Sequence, residues 1–340
     1  MDYLTIKVQK QNHFIISFSQ ALLILQTDSS AMIIHKGYET LNLAKPVVTI
    51  GIFDGVHRGH KTLLNRLVSC AKEENSESVV ITFSPHPRLV LDKNSATLTF
   101  LTTMEEKIVL LDKAGVDHLI IIEFNKAFSN IRACDFIKNV LVEKIGAKHL
   151  IIGYNHHFGR SGEGDFNTIK LCAESLDFKV EQVQGFHSDE GTISSSLVRE
   201  ALLQGKMEEA NNLLGHLYSV SGTVVEGRKI GRTIGFPTAN IRPDYQHKLI
   251  PCNGVYAVEV HLDGMIYPGM LSIGSNPTVN TDAGLRSIEV HIINLKKDIY
   301  GRAVSIIFRK RLRDEIRFDN ITQLTEQMEL DKQYVIRLLT

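Results

Sequence analysis

The sequence predicts an α/β protein in two parts, a doubly wound parallel sheet followed by a small antiparallel β-barrel. Three observations carry this. Between about residues 46 and 183, continuous β-branched runs such as "PVVTIGIF" and "DHLIIIEF" alternate with helical patterns, as expected of strands buried on both faces. After about residue 190 the long helices stop and strands follow one another directly. The chain of 340 residues, with 43% hydrophobic residues, is long enough for two or three domains with cores of their own.

Taken in order, "PVVTIGIF" is the first strand of the alternating part, and a helix follows from about Gly59 to Glu73. "SESVVITF" is a strand, "MEEKIVLLDKAG" a helix closed by Gly, and "DHLIIIEF" a strand. "ACDFIKNVLVEKIGA" is a helix, "KHLIIGY" a strand and "FKVEQVQ" a further one. "SSSLVREALLQGKMEEANNLLG" reads as two short helices around Gly205, ending at Gly215. "VYAVEVHLDGMIYPGMLSI" is a hairpin with Asp263-Gly264 at its turn, and "RSIEVHIIN" and "RAVSIIFRKRL" add strands. A helix closes the chain, with Ile321, Leu324, Met328 and Val335 near one face. There are no internal repeats or low-complexity tracts.

Lys and Arg total 38 and so do Asp and Glu, which argues against a general nucleic-acid or membrane surface. Cys70, Cys134, Cys172 and Cys252 form no CxxC pair; thiols scattered in this way suit a reducing cytosol and argue against disulfides or a zinc site. Residues 1–31 fit the rest poorly. "HFIISFSQALLIL", with Lys7 and Lys10 before it and "SSA" after it, loosely resembles a signal peptide but is short and interrupted for a membrane span. The expectation is an upstream extension, from a misassigned start, with Met32 as the real beginning and no transmembrane segment elsewhere.

The first cluster of chemistry is "GIFDGVHRGH", residues 51–60. In a parallel sheet, ligands sit at the carboxyl ends of strands beside helix N-termini. Gly55 and Gly59 allow close approach of backbone to phosphate, and His57 and His60, three apart, can be aimed together by one helical turn. Two such donors can hold a polyphosphate while charge builds on leaving pyrophosphate; the alternative is a cap or surface role, and zinc is disfavoured for want of a third ligand. "ISSSLVREAL" places Ser194, Ser195 and Ser196 before a helix carrying Arg199, as phosphate ligands or as a plain cap. In "FSPHP", Pro85 and His86 either line the site or form a rigid turn, and "GYNHHFGRSGEGD" either grips a flat ligand or is a flexible loop.

The second cluster lies in "GTVVEGRKIGRTIGFPTANI", residues 222–241. It is Gly-rich and basic without a P-loop pattern. Thr238 and Asn240 supply oxygen ligands for a Mg²⁺ on nucleotide phosphates, or belong to an ordinary turn. Glu289 points opposite to Ile288 and Val290 on its strand, either outward or as a placed carboxylate able to accept a hydroxyl proton during attack on a γ-phosphate.

The HxGH element with the ISSSxxR element resembles the nucleotidyltransferase superfamily. With "GYNHHFGRSGEGD", "LLGHLYSVSGTVVEG", "GRTIGFPTANI", "GVYAV", "SIGSNPTV", "SIEVHIIN", "DIYG" and "LRDEIRF" following in order, the chain from about residue 32 onward resembles the bacterial bifunctional riboflavin kinases/FMN adenylyltransferases, or FAD synthetases. The resemblance implies a Rossmann-like nucleotidyltransferase domain at 32–200, a helical linker at 201–217 and a riboflavin kinase β-barrel with a C-terminal helix at 218–340. It implies FMN made from riboflavin and ATP, then FAD made from FMN and ATP, with Mg²⁺ as cofactor, in the cytoplasm, by a monomer or weak oligomer.

The implied catalytic residues are Glu289 for the kinase and His57, His60 and Arg199 for the adenylyltransferase. Gly51, Phe53, Asp54, Gly55, Gly59, Ser194, Ser195, Ser196, Gly231, Arg232, Gly235 and Pro237 are the implied phosphate-binding set, and Thr238 and Asn240 the metal-binding pair. Pro85, His86, Asn155, Phe158, Gly159, Arg313, Glu315 and Phe318 are the implied flavin-binding set. Three features depart from the family pattern: Asn155 stands for the usual Asp and His156 for Phe, Ser196 stands for Thr, and residues 1–31 have no counterpart. The first departure motivates one alternative, a kinase with weak or lost adenylyl transfer. A non-catalytic flavin-binding regulator is the other.

Overall fold

The computed structural model describes residues 31–39, 41, 43–185, 187–188, 191–227, 231, 234–275 and 286–339. Strands β1 (Ile33–Lys36), β2 (Val47–Ile50), β3 (Ser78–Ser84), β4 (His118–Glu123), β5 (His149–Gly153) and β6 (Lys179–Val183) form one sheet in the order β1-β4-β3-β2-β5-β6. Every pairing in it is parallel, for example Val47 beside Ser78 and Val47 beside His149. The order reverses at β2, with β3 and β4 on one side and β5 and β6 on the other. Chains leaving β2 and β5 therefore part, and the crevice of a doubly wound sheet lies at that point.

Both faces of the sheet are covered, which is why its strands read as unbroken apolar runs. Val48, Ile50, Ile81 and Ile152 face one cluster with Phe136, Leu141 and Ile169. Val47, Val80 and Ile151 face another with Leu64, Leu67 and Leu111. Helix α1 (Arg58–Glu73) buries Leu63, Leu64, Leu67, Cys70 and Ala71, a stripe at helical spacing; each such leucine contributes about 1.5–3 kcal/mol by leaving water. The short α2 (Pro87–Leu91), not foreseen from the sequence, starts on a proline. Helix α3 (Met104–Lys113) is opened by a capping box between Thr103 and Glu106. Helix α4 (Ala133–Phe136) runs into a π-helical stretch, Ile137–Val142, and α5 (Phe166–Glu174) follows β5. A two-stranded ribbon, β7 (His187–Ser188) and β8 (Gly191–Thr192), leads out of the unit.

The chain divides between Ser194 and Ser195 into two units. The second opens with α6 (Ser195–Leu203) and α7 (Met207–Leu214), the latter ended by left-handed Gly215. Strands β9 (Ser219–Val225), β10 (Ala239–Pro243), β11 (Gly254–Leu262), β12 (Met265–Ser275), β13 (Arg286–Ile292) and β14 (Ala303–Arg313) close into a barrel in the order β10-β13-β12-β11-β14-β9. Asp263 and Gly264 both have positive φ at the β11–β12 turn, as a tight hairpin of the expected kind requires. Helix α8 (Ile321–Leu339) lays Val335, Met328 and Leu339 on a cluster of Phe236, Ala257, Met270 and Ile293.

Several expectations need correction. The helix expected over 133–147 has one α-helical turn before widening, with bonds such as Glu143 N–H to Lys138 O; the wider turn keeps Phe136, Ile137, Val140, Leu141 and Ile145 all on the buried side. Cys134 and Cys172, not expected to pair, form a disulfide with Cα atoms 5.4 Å apart, because α4 and α5 lie side by side on one face of the sheet. The α6–α7 pair belongs with the barrel: Cys252 N–H donates to Leu202 O (3.1 Å), Asn211 Nδ2 donates to Phe308 O (3.0 Å), and a Cβ on Gly205 would meet Arg311 and Cys252. Ile321, placed on the packed face of the last helix, is 67% exposed, since packing starts with Leu324 and Met328 further along. Residues 1–30, most of the expected extension, lie outside the described residues.

Candidate active sites

The turn from β2 to α1 stands at the crevice. Phe53, Gly55 and Val56 all have positive φ, so the backbone coils tightly before the helix begins. Phe53 is buried under Gly51, where a Cβ would come within 2.9 Å of its ring. His57 is the N-cap: its Nδ1 accepts from His60 N–H at 3.3 Å. That bond leaves the proton of a neutral His57 on Nε2. The two imidazoles stack with centroids 3.7 Å apart and planes 17° from parallel. Burial lowers the His57 pKa to about 4, against a smaller opposing pull from Asp54. Burial also holds His60 well below its ordinary value, with His57 and Lys107 adding to the effect. The pair is thus neutral at pH 7, and His60 Nδ1 is buried with no hydrogen-bond partner among the described residues.

Gly59 has a packing reason: a Cβ there would meet Ile193 O at 3.1 Å and the His57 ring at 3.2 Å. The segment ending in Ile193 and Ser194 therefore runs against the mouth of α1. Ser195, Ser196 and Arg199 lie on α6 in the second unit.

Asp54 differs from its expected role. Its carboxylate is buried and accepts Leu101 N–H (2.8 Å) and Thr102 N–H (3.1 Å), while Gly55 N–H donates to Thr102 Oγ1 (3.0 Å). An acceptor turned inward braces the loop; as an anion it would repel phosphate rather than bind it. Lys107 was missed altogether. It is 6% exposed on α3, and burial lowers its pKa to about 8 with Asp54 opposing. The available signal was its spacing, one turn before Leu111 on the buried face of α3.

The expected flavin-binding residues of this unit do not share one wall. His86 caps α2, accepting Arg88 N–H at 3.1 Å, and stacks on Phe100 with centroids 4.2 Å apart; Pro85 precedes it after β3. Asn155 is exposed, whereas His156 is half-buried with its Nε2 shut away from water; desolvation lowers its pKa to about 4, His157 adding to the effect, and its ring lies 5.6 Å from Phe158. Gly159 (φ 79°) fits only because it has no Cβ, which would come within 2.7 Å of Ala133 N. Glu163 Oε1 accepts Ala133 N–H at 3.0 Å, so the loop after β5 clasps the start of α4. A chain of rings links Phe158 to Phe136 and Phe136 to Phe128, each at 5.7 Å. Phe128 lines a cavity of about 870 Å³ at the carboxyl ends of β1, β3 and β4, with Tyr38, Glu39, Ser84, Met104 and Asn125. That size suits a small-molecule ligand, and sequence reasoning singled out none of these lining residues.

In the barrel, three expected residues converge. Thr238 Oγ1 donates to Glu289 Oε2 at 3.2 Å, and Asn240 is the cross-strand partner of Glu289 between β10 and β13. Glu289 is half-buried. Asn240 lies against Gly227, where no side chain would fit. The preceding turn is held by Phe236 N–H to Gly231 O (2.8 Å), by left-handed Gly235, and by His291 Nδ1–H to Pro237 O (2.8 Å). Hard oxygen donors in this arrangement fit a Mg²⁺ ion. Arg232 lies outside the described residues.

At the far end of β14, Arg313 is committed to Asp331 of α8 through Nε (2.9 Å) and Nη2 (2.7 Å), with Phe318 6.0 Å beneath its guanidinium. Glu315 approaches Gly274 and accepts from Asn253 Nδ2 at 3.4 Å.

Comparison with known proteins follows this division. A model of the FAD synthetase family matches residues 40–197, and one of the riboflavin kinase family matches residues 214–339. The bifunctional riboflavin kinase/FMN adenylyltransferase of Listeria monocytogenes is 38% identical, covering 84% of this chain and 90% of its own length. That of Bacillus subtilis is 37% identical, covering 86% and 92%. A Streptococcus pneumoniae crystal structure, described as a macrolide-efflux protein, superposes with TM-score 0.81 at 30% identity, covering 89% of this chain and 98% of that one. Among the described residues of the present chain, no helix is long and apolar enough to cross a membrane.

Proposed function

This chain belongs to the family of bifunctional riboflavin kinases/FMN adenylyltransferases, and we propose from that premise that its barrel makes FMN and its parallel-sheet unit makes FAD. The observation that carries the reading is that each unit has its own cluster of groups suited to phosphate oxygens, one of stacked neutral imidazoles and one of hard oxygen donors.

In the kinase step, Glu289 accepts the proton of the terminal ribityl hydroxyl as that oxygen bonds to the γ-phosphorus of ATP. The bond from γ-phosphorus to the ADP oxygen breaks, and ADP leaves with the electron pair. Thr238 and Asn240 would hold Mg²⁺, which when bound would neutralise charge on the phosphate oxygens. The Thr238 hydroxyl also orients Glu289 through their hydrogen bond.

In the adenylyl step, a phosphate oxygen of FMN bonds to the α-phosphorus of a second ATP and pyrophosphate departs. His57, through Nε2–H, and His60 donate to the oxygens on which charge grows; being neutral and buried, they do so without a solvent shell to reorganise. Asp54 acts one step removed, holding the loop at Leu101 and Thr102 against the phosphate-facing turn. Ser194, at the end of the segment that runs against the mouth of α1, adds a hydroxyl to the phosphate contacts in this proposal. The flavin is assigned to the cavity lined by Phe128 and Ser84. Cytoplasmic location belongs to the same proposal.

The test is a product assay by chromatography, with riboflavin plus Mg-ATP and FMN plus Mg-ATP supplied separately. FMN and then FAD are expected from the first mixture, and FAD with pyrophosphate from the second. FMN accumulating with no FAD in either would remove adenylyl transfer and leave a kinase alone.

A further inference from the structure

At the carboxyl end of α1, Cys70 and Glu74 lie four residues apart and face His149 at the start of β5. Among the described residues these form the one group of three such side chains whose ligand atoms all lie within 4.8 Å of one another. His149 Nδ1 is 3.3 Å from Cys70 Sγ and 3.1 Å from Glu74 Oε1. We propose that Cys70, Glu74 and His149 form a binding site for a zinc-class divalent ion that ties α1 to β5, separate from both phosphate-directed clusters.

The donor set supports this. Thiolate, imidazole and carboxylate are the three ligand types zinc takes, and His149 Nδ1 lies as far from Cys70 Sγ and Glu74 Oε1 as neighbouring ligands lie from one another around a small tetrahedral ion. One thiolate and one carboxylate balance the charge of a divalent cation, the thiol proton passing to solvent. Cys70 and His149 are buried, which fixes two ligands, while Glu74 is exposed and leaves an entry path and room for a water as fourth ligand.

The surroundings fit as well. A ligating histidine usually donates its other ring N–H to a carboxylate. His149 Nε2 faces Glu181 Oε2 at 3.9 Å, and Glu181 is fixed by Arg66 through two bonds, at 2.7 and 2.9 Å. Lys179 Nζ, 3.3 Å from Glu74 Oε1, has a largely exposed side chain and can move aside. The site stands opposite the catalytic end of the sheet. Fourteen residues of helix separate His60 from Glu74, about 20 Å at helical rise, so the ion acts on stability of the unit and not on the chemistry. The sequence had argued against zinc because no CxxC pair exists; the fold supplies the third ligand from 75 residues away.

The test uses the full chain, stripped with a chelator, with cobalt(II) alone and then zinc alone as probes. One equivalent of cobalt is expected to give a thiolate-to-cobalt charge-transfer absorption that zinc abolishes by displacement, and zinc is expected to raise the unfolding temperature. Cys70→Ser should lose both effects, and Cys252→Ser, which removes the other free thiol, should keep them. Glu74→Gln, at an exposed position safe for folding, should weaken zinc binding at least tenfold. Glu181→Gln should weaken it by about 10–100-fold while the absorption persists. No charge-transfer absorption in the unaltered protein, or absorption that survives Cys70→Ser, would overturn the site and leave a hydrogen-bonded Cys–His–Glu chain.

Discussion

The two units solve one electrostatic problem by opposite means. In the reading proposed here, the groups that the parallel-sheet unit offers to phosphate are neutral donors on a helix mouth, at a turn where the strand order reverses. In the barrel they are oxygen acceptors, Glu289 and its neighbours Thr238 and Asn240, set by the register of two paired strands. Donors can meet phosphate directly, whereas acceptors need a cation between. The difference teaches that parallel sheets place chemistry in loops beyond the strand ends, while a closed barrel can place it on the strands themselves.

The contrast is broken most sharply by removing the carboxylate. Glu289→Gln is expected to lower FMN formation by about 10²–10⁴-fold and to leave conversion of FMN to FAD within a few-fold; parallel loss of both in a folded protein would refute independent sites. His57→Ala with His60→Ala is expected to do the reverse. FAD formation should fall by about 10²–10³-fold with riboflavin phosphorylation retained, as read from initial rates with each flavin.

Acid should separate the units next. The folded pKa of His57 is depressed from 6.5 to about 4 by burial, so the unfolded chain takes up the proton first. Its contribution is intact above pH 6.5 and is lost as pH falls from there to about 4, amounting to about 3 kcal/mol at most. His35, His60 and His156 in the same unit are shifted the same way, mainly by burial; in the barrel unit, His291 is. Peptide-resolved hydrogen exchange at pH 7.5 and pH 5 should show protection lost more from β2–β5 than from β11–β14; equal loss would contradict the assignment. Smallest is Asp54→Asn, which keeps its size but weakens two charge-assisted bonds to Leu101 and Thr102. It should cost about 1–3 kcal/mol in denaturant unfolding and raise the KM for ATP in FAD formation alone.

Much of the fold was legible because local patterns report local burial. Val47–Ile50 and His118–Glu123 read as two-sided strands since their neighbours cover both faces, and the Asp263-Gly264 turn read as a hairpin since few other dipeptides reach that conformation. The HxGH, PTAN and SIEV motifs stood out through their residue types, and the fold stacks His57 on His60 and sets Thr238 against Glu289. Others were hidden. Lys107 stood in no motif, and the cavity beside Phe128 draws its walls from four separate stretches of chain.

The sequence by itself determined that strands alternate with helices and then run on without them, and that small and left-handed residues punctuate the turns. These are properties of a few residues at a time. Only the tertiary structure decided that Asp54 accepts from Leu101 and Thr102, that Thr238 meets Glu289, that Cys134 pairs with Cys172, and that Cys70 and Glu74 face His149. Each is a contact between residues distant in the chain, and its partner is chosen by sheet order and strand register, which no local pattern encodes.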